Sequence, residues 1–258
     1  MPDQPALSAC IITLNEADRI AECLASLAFC DEIVLVDSGS TDRTRDLATA
    51  HGARVVEHAF EGYRAQKEFA VAQAKHDWVL CLDADERITA ELRASIEAAR
   101  NAGFVDTAGY RFPRATEYFG KFLHHGNAYP DRVLRLFDRR RGGWRGTREI
   151  HEHVSVDGAV RTLIGDLEHR AYRSVDDQLG RYRRYAAMMA QHMHASGRRA
   201  HWHNLLINPG WRFFRGYVLR AGFLDGWRGL LFASLEADYT REKFARLMLL
   251  QRIDETSP

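Results

Sequence analysis

The sequence predicts an α/β protein built on a mostly parallel, doubly wound sheet. Short apolar runs alternate with helix-period segments through the first hundred residues, and several of those runs end in acids. Ala9-Cys10-Ile11-Ile12-Thr13-Leu14 reads as a first buried strand ending at Asn15-Glu16. Ile20, Cys23, Leu24 and Leu27 then recur at helical spacing over 17–28. Glu32 to Asp37 is a second strand, Ser38-Gly39-Ser40 a turn, and Thr41-Asp42 opens a helix to about Ala50. A third strand at Ala53 to Glu57, a helix over 64–75 and the run Trp78-Val79-Leu80-Cys81-Leu82 complete the alternation.

After about residue 103 the pattern changes. Gly109-Tyr110-Arg111-Phe112 and Val133-Leu134-Arg135-Leu136-Phe137 alternate like half-exposed strands, and the segments around 150–154 and 161–164 read as further strands of a mixed sheet. From Asp176 onward the chain reads as helical, with a break at Asn208-Pro209-Gly210. The expected division is therefore an α/β domain over 1–175, with a parallel-sheet half over about 1–103 and a mixed-sheet half over 104–175. A helical, basic and aromatic region over 176–258 follows.

Composition narrows the function. With 258 residues and a formal charge of +1, the chain can bury a core without staples and has no overall polyanion-binding character. Cys10, Cys23, Cys30 and Cys81 form no Cys-x-x-Cys pair and read as reduced, mostly buried thiols. The first residues show no basic-then-apolar leader, and no run reaches the roughly 18 apolar residues of a spanning helix. These features suit a cytoplasmic protein.

The chemistry lies where the strands end. Glu16 follows strand one, Asp37 ends strand two, and Asp83, Asp85 and Glu86 follow the 78–82 strand, so parallel strands bring these acids to one sheet edge. Paired carboxylates there call for a cation or a basic partner. Each acid also has a plainer reading. Asp85 precedes a plausible helix start at Arg87 to Leu92 and so fits an N-cap, Asp37 fits a turn former before Gly39, and Glu16 fits a capping acid. Lys67 lies on the preceding helix, placed either to approach a phosphate or to stay solvated. A nicotinamide-type fingerprint fails, because Thr13 to Asp18 contains no glycine. His151 and His153 share a strand face but have no third zinc ligand at a recognisable spacing.

Thr13-Leu14-Asn15-Glu16, Val36-Asp37-Ser38-Gly39-Ser40-Thr41-Asp42 and Leu82-Asp83-Ala84-Asp85-Glu86 together resemble the family 2 glycosyltransferases of the GT-A fold. Leu134-Arg135-Leu136-Phe137, Ile150-His151-Glu152 and His169 extend the resemblance, most closely to the subgroup that builds the lipopolysaccharide core, the WaaE-type glucosyltransferases. The resemblance implies that Asn15, Glu16 and Asp37 shape a nucleotide pocket, with Asp37 accepting hydrogen bonds from a uracil. It implies that Asp85, with Asp83 and His169, holds Mg²⁺ or Mn²⁺ across the diphosphate of a UDP-sugar. Glu152 matches the base that takes the acceptor's proton in an inverting transfer, while Glu149 three residues earlier is a competing base. Relatives often carry a Gly-Gly-Trp-like run where this chain has Gly126-Asn127-Ala128, which leaves the donor sugar open.

Nine arginines and one acid, Asp225, fall between Leu179 and Arg228, interleaved with large apolar residues. That composition suits an interfacial contact, expected at the cytoplasmic face of the inner membrane beside a lipid-linked saccharide acceptor. Helices packed with a solvated basic face are the plainer reading. Nucleic-acid motifs are absent, and oligomerisation through the same surface is compatible. Two alternatives to glycosyl transfer stand at this point: a nucleotidyltransferase, and a non-catalytic nucleotide-sugar-binding membrane module.

Overall fold

The computed structural model describes residues 4–146 and 152–256. Two compact units divide the chain: Met1–Arg114 with Asp131–His169, and Ala115–Pro130 with Arg170–Pro258. The expected single division at 175 thus differs from the observed one, because Ala115–Pro130 belongs with the C-terminal helices. Tyr118 donates its hydroxyl to Gln178 at 2.6 Å, and Arg170 pairs with Glu117 at 2.9 Å.

In the first unit the chain runs β1 (Leu7–Thr13), α1 (Ile20–Ser26), β2 (Glu32–Asp37), α2 (Thr44–Ala50), β3 (Arg54–Glu57), α3 (Tyr63–Gln73) and β4 (Trp78–Asp83). It continues through β5 (Glu86–Ile88), α4 (Ala90–Asn101), β6 (Gly109–Thr116), β7 (Asp131–Asp138), β8 (Gly142–Arg145), β9 (His153–Val156), β10 (Val160–Thr162) and β11 (Leu167–His169). Strand order in the main sheet is β3-β2-β1-β4-β7-β6-β11-β5, with β10 beside β6; β8 and β9 form a separate antiparallel pair. The first four strands are parallel, and β7 joins antiparallel to β4.

Alternation along β1 sends Leu7, Ala9 and Ile11 to one face and Cys10 to the other. The first face is covered by Ile20 and Leu24 of α1 and by Leu92 and Ile96 of α4. Ala70 of α3, Ala74 after it and Trp144 of β8 cover the second. All four cysteines are free thiols, three of them buried. Burial pushes the Cys30 thiol up to about 12 and the Cys23 thiol well above its ordinary value.

One local expectation needs correcting. Asp85 caps no helix: Glu86–Ile88 is an edge strand paired with β11, and α4 is capped by Thr89, whose Oγ1 accepts the Leu92 N–H at 3.2 Å. Threonine directly before a run of helix formers supplies the cap that a carboxylate four residues earlier cannot reach.

The second unit is helical: α5 (Val175–Ala195), α6 (Ile207–Phe214) and α7 (Trp227–Thr256), with a 3₁₀ turn at Trp202–Leu205, a π-turn at Arg215–Leu219 and a second 3₁₀ turn at Gly222–Asp225. The expected break at Asn208-Pro209-Gly210 is absent. Pro209 sits in the first turn of α6, where its missing N–H has no intrahelical partner to lose.

Candidate active site

Strand register brings the site's acids to one edge. Thr13 of β1 lies beside Asp37 of β2, and Ile12 lies beside Asp83 of β4. The loops that follow β1 and β2 are tied together by polar side chains. Asn15, held at φ +53°, donates its N–H to Ser40 Oγ at 2.9 Å and accepts the Thr41 N–H on Oδ1 at 2.8 Å. The Glu16 N–H donates to Thr44 Oγ1 at 2.9 Å, and the Ala17 N–H donates to Asp42 at 3.1 Å.

Asp37 departs from its expected role. It is fully buried, and its carboxylate accepts the N–H groups of Gly39 at 3.0 Å and Ser40 at 2.8 Å together with the Ser40 hydroxyl. A carboxylate at a strand end satisfies itself on the turn that follows when that turn offers N–H groups at close range. In the structure Asp37 holds the turn that shapes the loop.

Asp83, Asp85 and Glu86 sit in three different environments. Asp83 receives Lys67 Nζ at 3.0 Å on one oxygen and Arg135 Nη2 at 3.1 Å on the other. Glu86 is buried, accepts the Asp83 N–H at 3.0 Å, and pairs with Arg114 at 3.0 Å and Arg135 at 3.5 Å. Burial alone raises the Asp83 carboxyl, but Lys67, Arg135 and Arg114 outweigh it and hold the group well below the usual carboxylate range. Asp85 faces His169 Nε2 at 3.5 Å and Arg19 at 3.9 Å. Its burial is likewise outweighed, first by the His169 hydrogen bond, so it too stays ionised.

Lys67 is not a solvated side chain. It is buried, lies 4.6 Å from the centre of the Trp144 ring, and reaches Glu152 Oε1 at 3.3 Å while holding Asp83. The reason is electrostatic: burying a charged group is costly unless opposite charges compensate it, and the two carboxylates do so. Glu152 therefore joins the strand-edge acids through Lys67. Glu149 and His151 lie outside the described residues, so no comparison of the two candidate bases follows from position.

Among the described residues, no three His, Cys, Asp or Glu side chains converge to hold an ion by themselves. Asp83 is engaged by two cations, Lys67 and Arg135. Asp85 and His169 remain, and His169 Nδ1 is buried without a hydrogen-bond partner. Arg19, Arg114 and Trp144 have no role in the sequence-based reading, and Arg135 enters it only within the Leu134–Phe137 run. Arg135 carried a usable signal, a lone charge between Leu134 and Leu136 in an apolar strand, which needs a buried partner.

The model of the family described as "Glycosyl transferase family 2" matches residues 8–156. A relative named lipopolysaccharide core biosynthesis glycosyltransferase LpsC, from Rhizobium meliloti (strain 1021), is 32% identical over 90% of this chain and 90% of its own length. An uncharacterized glycosyltransferase of Rickettsia bellii (strain RML369-C) is 30% identical over 97% of this chain and 87% of its own. Among solved structures, glucosyl-3-phosphoglycerate synthase of Mycobacterium tuberculosis, in complex with Mn²⁺, uridine-diphosphate and glucosyl-3-phosphoglycerate, aligns at 24% identity with a TM-score of 0.37. That alignment covers 44% of each chain, so this chain spans less than half of that structure. The nucleotidyltransferase and non-catalytic alternatives fall with the family match, and the expected GT-A-like fold stands. The chain belongs to glycosyl transferase family 2 and is a glycosyltransferase.

Proposed function

We propose that the protein is an inverting, metal-dependent glycosyltransferase that moves a hexose, glucose by the resemblance, from a UDP-sugar to a lipopolysaccharide core acceptor. The acceptor class is supported by the R. meliloti relative's name. The uridine nucleotide rests on the motif resemblance. A lipid-borne acceptor also favours peripheral contact with the cytoplasmic face of the inner membrane. Among the described residues no helix is long and apolar enough to cross a membrane.

One observation carries the reading: Lys67 holds Asp83 and Glu152 together, so a carboxylate from beyond the acceptor-side strands stands beside the strand-edge acids. Asp85 and His169 fit a divalent cation, one ionised oxygen donor and one ring nitrogen, provided that diphosphate oxygens complete the shell. When bound, that ion neutralises charge on the departing diphosphate. Glu152, a quarter exposed, takes the proton of the acceptor hydroxyl as its oxygen bonds to the anomeric carbon and the bond to the diphosphate breaks. Lys67, 3.3 Å from its Oε1, orients Glu152 for that step. Asn15, Ser40 and Thr44 fix the loops beside the nucleotide position.

Glu152→Gln keeps the shape and removes the base. Transfer to acceptor falls about 10²- to 10⁴-fold, while the donor's effect on the melting temperature is unchanged. Retained transfer moves the base elsewhere, with Glu149 the first residue to substitute.

A further inference from the structure

The helical unit turns apolar surface outward. Of twenty large hydrophobic residues exposed among the described residues, eleven lie between Trp202 and Leu230, each 43 to 71% exposed. Ile207, Trp211, Phe214 and Val218 recur at steps of four, three and four, which places them on one continuous helical face. That face meets solvent, while Pro209 and Gly216 are buried on the other side. Phe223 and Leu224 project from the 3₁₀ turn that follows. An apolar stripe of this extent, facing water, marks a contact surface.

The stripe stands on a rigid support. A Cβ on Gly229 would lie 1.9 Å from the Gly222 carbonyl oxygen, so the first turn of α7 packs directly on the 3₁₀ turn. Asp225, buried at the end of that turn, accepts the His125 N–H at 3.0 Å, and the Gly126 N–H donates to the Arg220 carbonyl at 2.8 Å. The exposed side chains are therefore held out by buried polar contacts.

Charge selects the partner. From Arg198 to Leu231 there are six arginines and a single acid, and that acid is the buried Asp225. Packing against a second copy through a two-fold contact would set arginines against arginines. A bilayer with anionic phosphate headgroups accepts both components: apolar side chains enter the acyl boundary, tryptophans lie at the interface, and guanidiniums meet phosphates.

We propose that residues 202–230 form an interfacial wedge, with the Ile207–Val218 face and the Phe223-Leu224 tip seated in an anionic bilayer surface. The inference deepens the peripheral contact proposed above, and its test needs neither donor nor acceptor, so its failure leaves the transfer reading intact. The full chain is mixed with vesicles of phosphatidylcholine, with and without phosphatidylglycerol, and followed by co-sedimentation and tryptophan emission. The wedge requires binding that depends on phosphatidylglycerol, weakens with salt and shifts emission to the blue. Phe223→Ser with Leu224→Ser lowers affinity for these vesicles about tenfold or more. Arg220→Glu, on the exposed rim, weakens binding without altering the apolar tip and decides the matter if the double variant does not fold. The proposal is overturned by absent binding to phosphatidylglycerol vesicles, or by equal affinity of folded variants and wild type. A dimer in sedimentation equilibrium that the tip substitutions dissociate overturns it in favour of a second copy.

Discussion

The Lys67 ammonium stands 3.3 Å from Glu152 Oε1, joining α3 to a carboxylate 85 positions later in the chain. The same nitrogen holds Asp83 at 3.0 Å, so one buried cation ties the proposed base to the strand-edge acids. Lys67→Met keeps the stem against Trp144 and deletes the charge. The variant loses about 1–3 kcal/mol of stability, read from urea unfolding, and loses transfer activity along with it. An unchanged urea midpoint would mean that the bridge contributes nothing.

Asp37 gives a prediction that separates its two readings. As a turn builder, Asp37→Ala leaves two N–H groups and a hydroxyl without their acceptor. Stability falls by about 2 kcal/mol or more. Were Asp37 instead a base-contacting residue, the variant would keep its stability and lose its preference for uridine nucleotides, which a competition series measures.

Acid stability follows from the depressed carboxyls. Asp83 and Asp85 titrate below the ordinary aspartate value in the fold, so on acidification the unfolded chain binds more protons than the native one. Their contribution is whole above about pH 4 and is lost as pH falls through the folded values. Unfolding free energy measured in metal-free buffer is therefore level in this respect near neutrality and declines below about pH 4. Asp83→Asn starts less stable at neutral pH and shows a shallower acid decline; parallel declines would contradict the assignment.

How far these features are legible in the sequence depends on their range. β1, β2 and β4 are visible because fully buried strands must be apolar throughout, and their terminal acids follow from the strand ends. Local patterning cannot say which partner a carboxylate takes. Asp37 takes its own turn, whereas Asp83 takes Arg135 from 52 positions away. The edge strand Glu86–Ile88 is three residues long with a charge at its centre, too short for a period of two to emerge against a helix start. Pro209 and Gly210 look like a break in isolation, yet a proline in a first turn and packing against α7 allow the helix to run through both.

The central claim is that Asp85 serves the donor's cation while Glu152 serves the acceptor's proton. It is tested most directly by melting wild type, Asp85→Asn and Glu152→Gln with UDP-glucose, in the presence and absence of Mn²⁺. A ligand that favours the native state raises the melting temperature. The account predicts a Mn²⁺-dependent rise in wild type and in Glu152→Gln, and none in Asp85→Asn. A full Mn²⁺-dependent rise in Asp85→Asn, or its loss in Glu152→Gln, would contradict it.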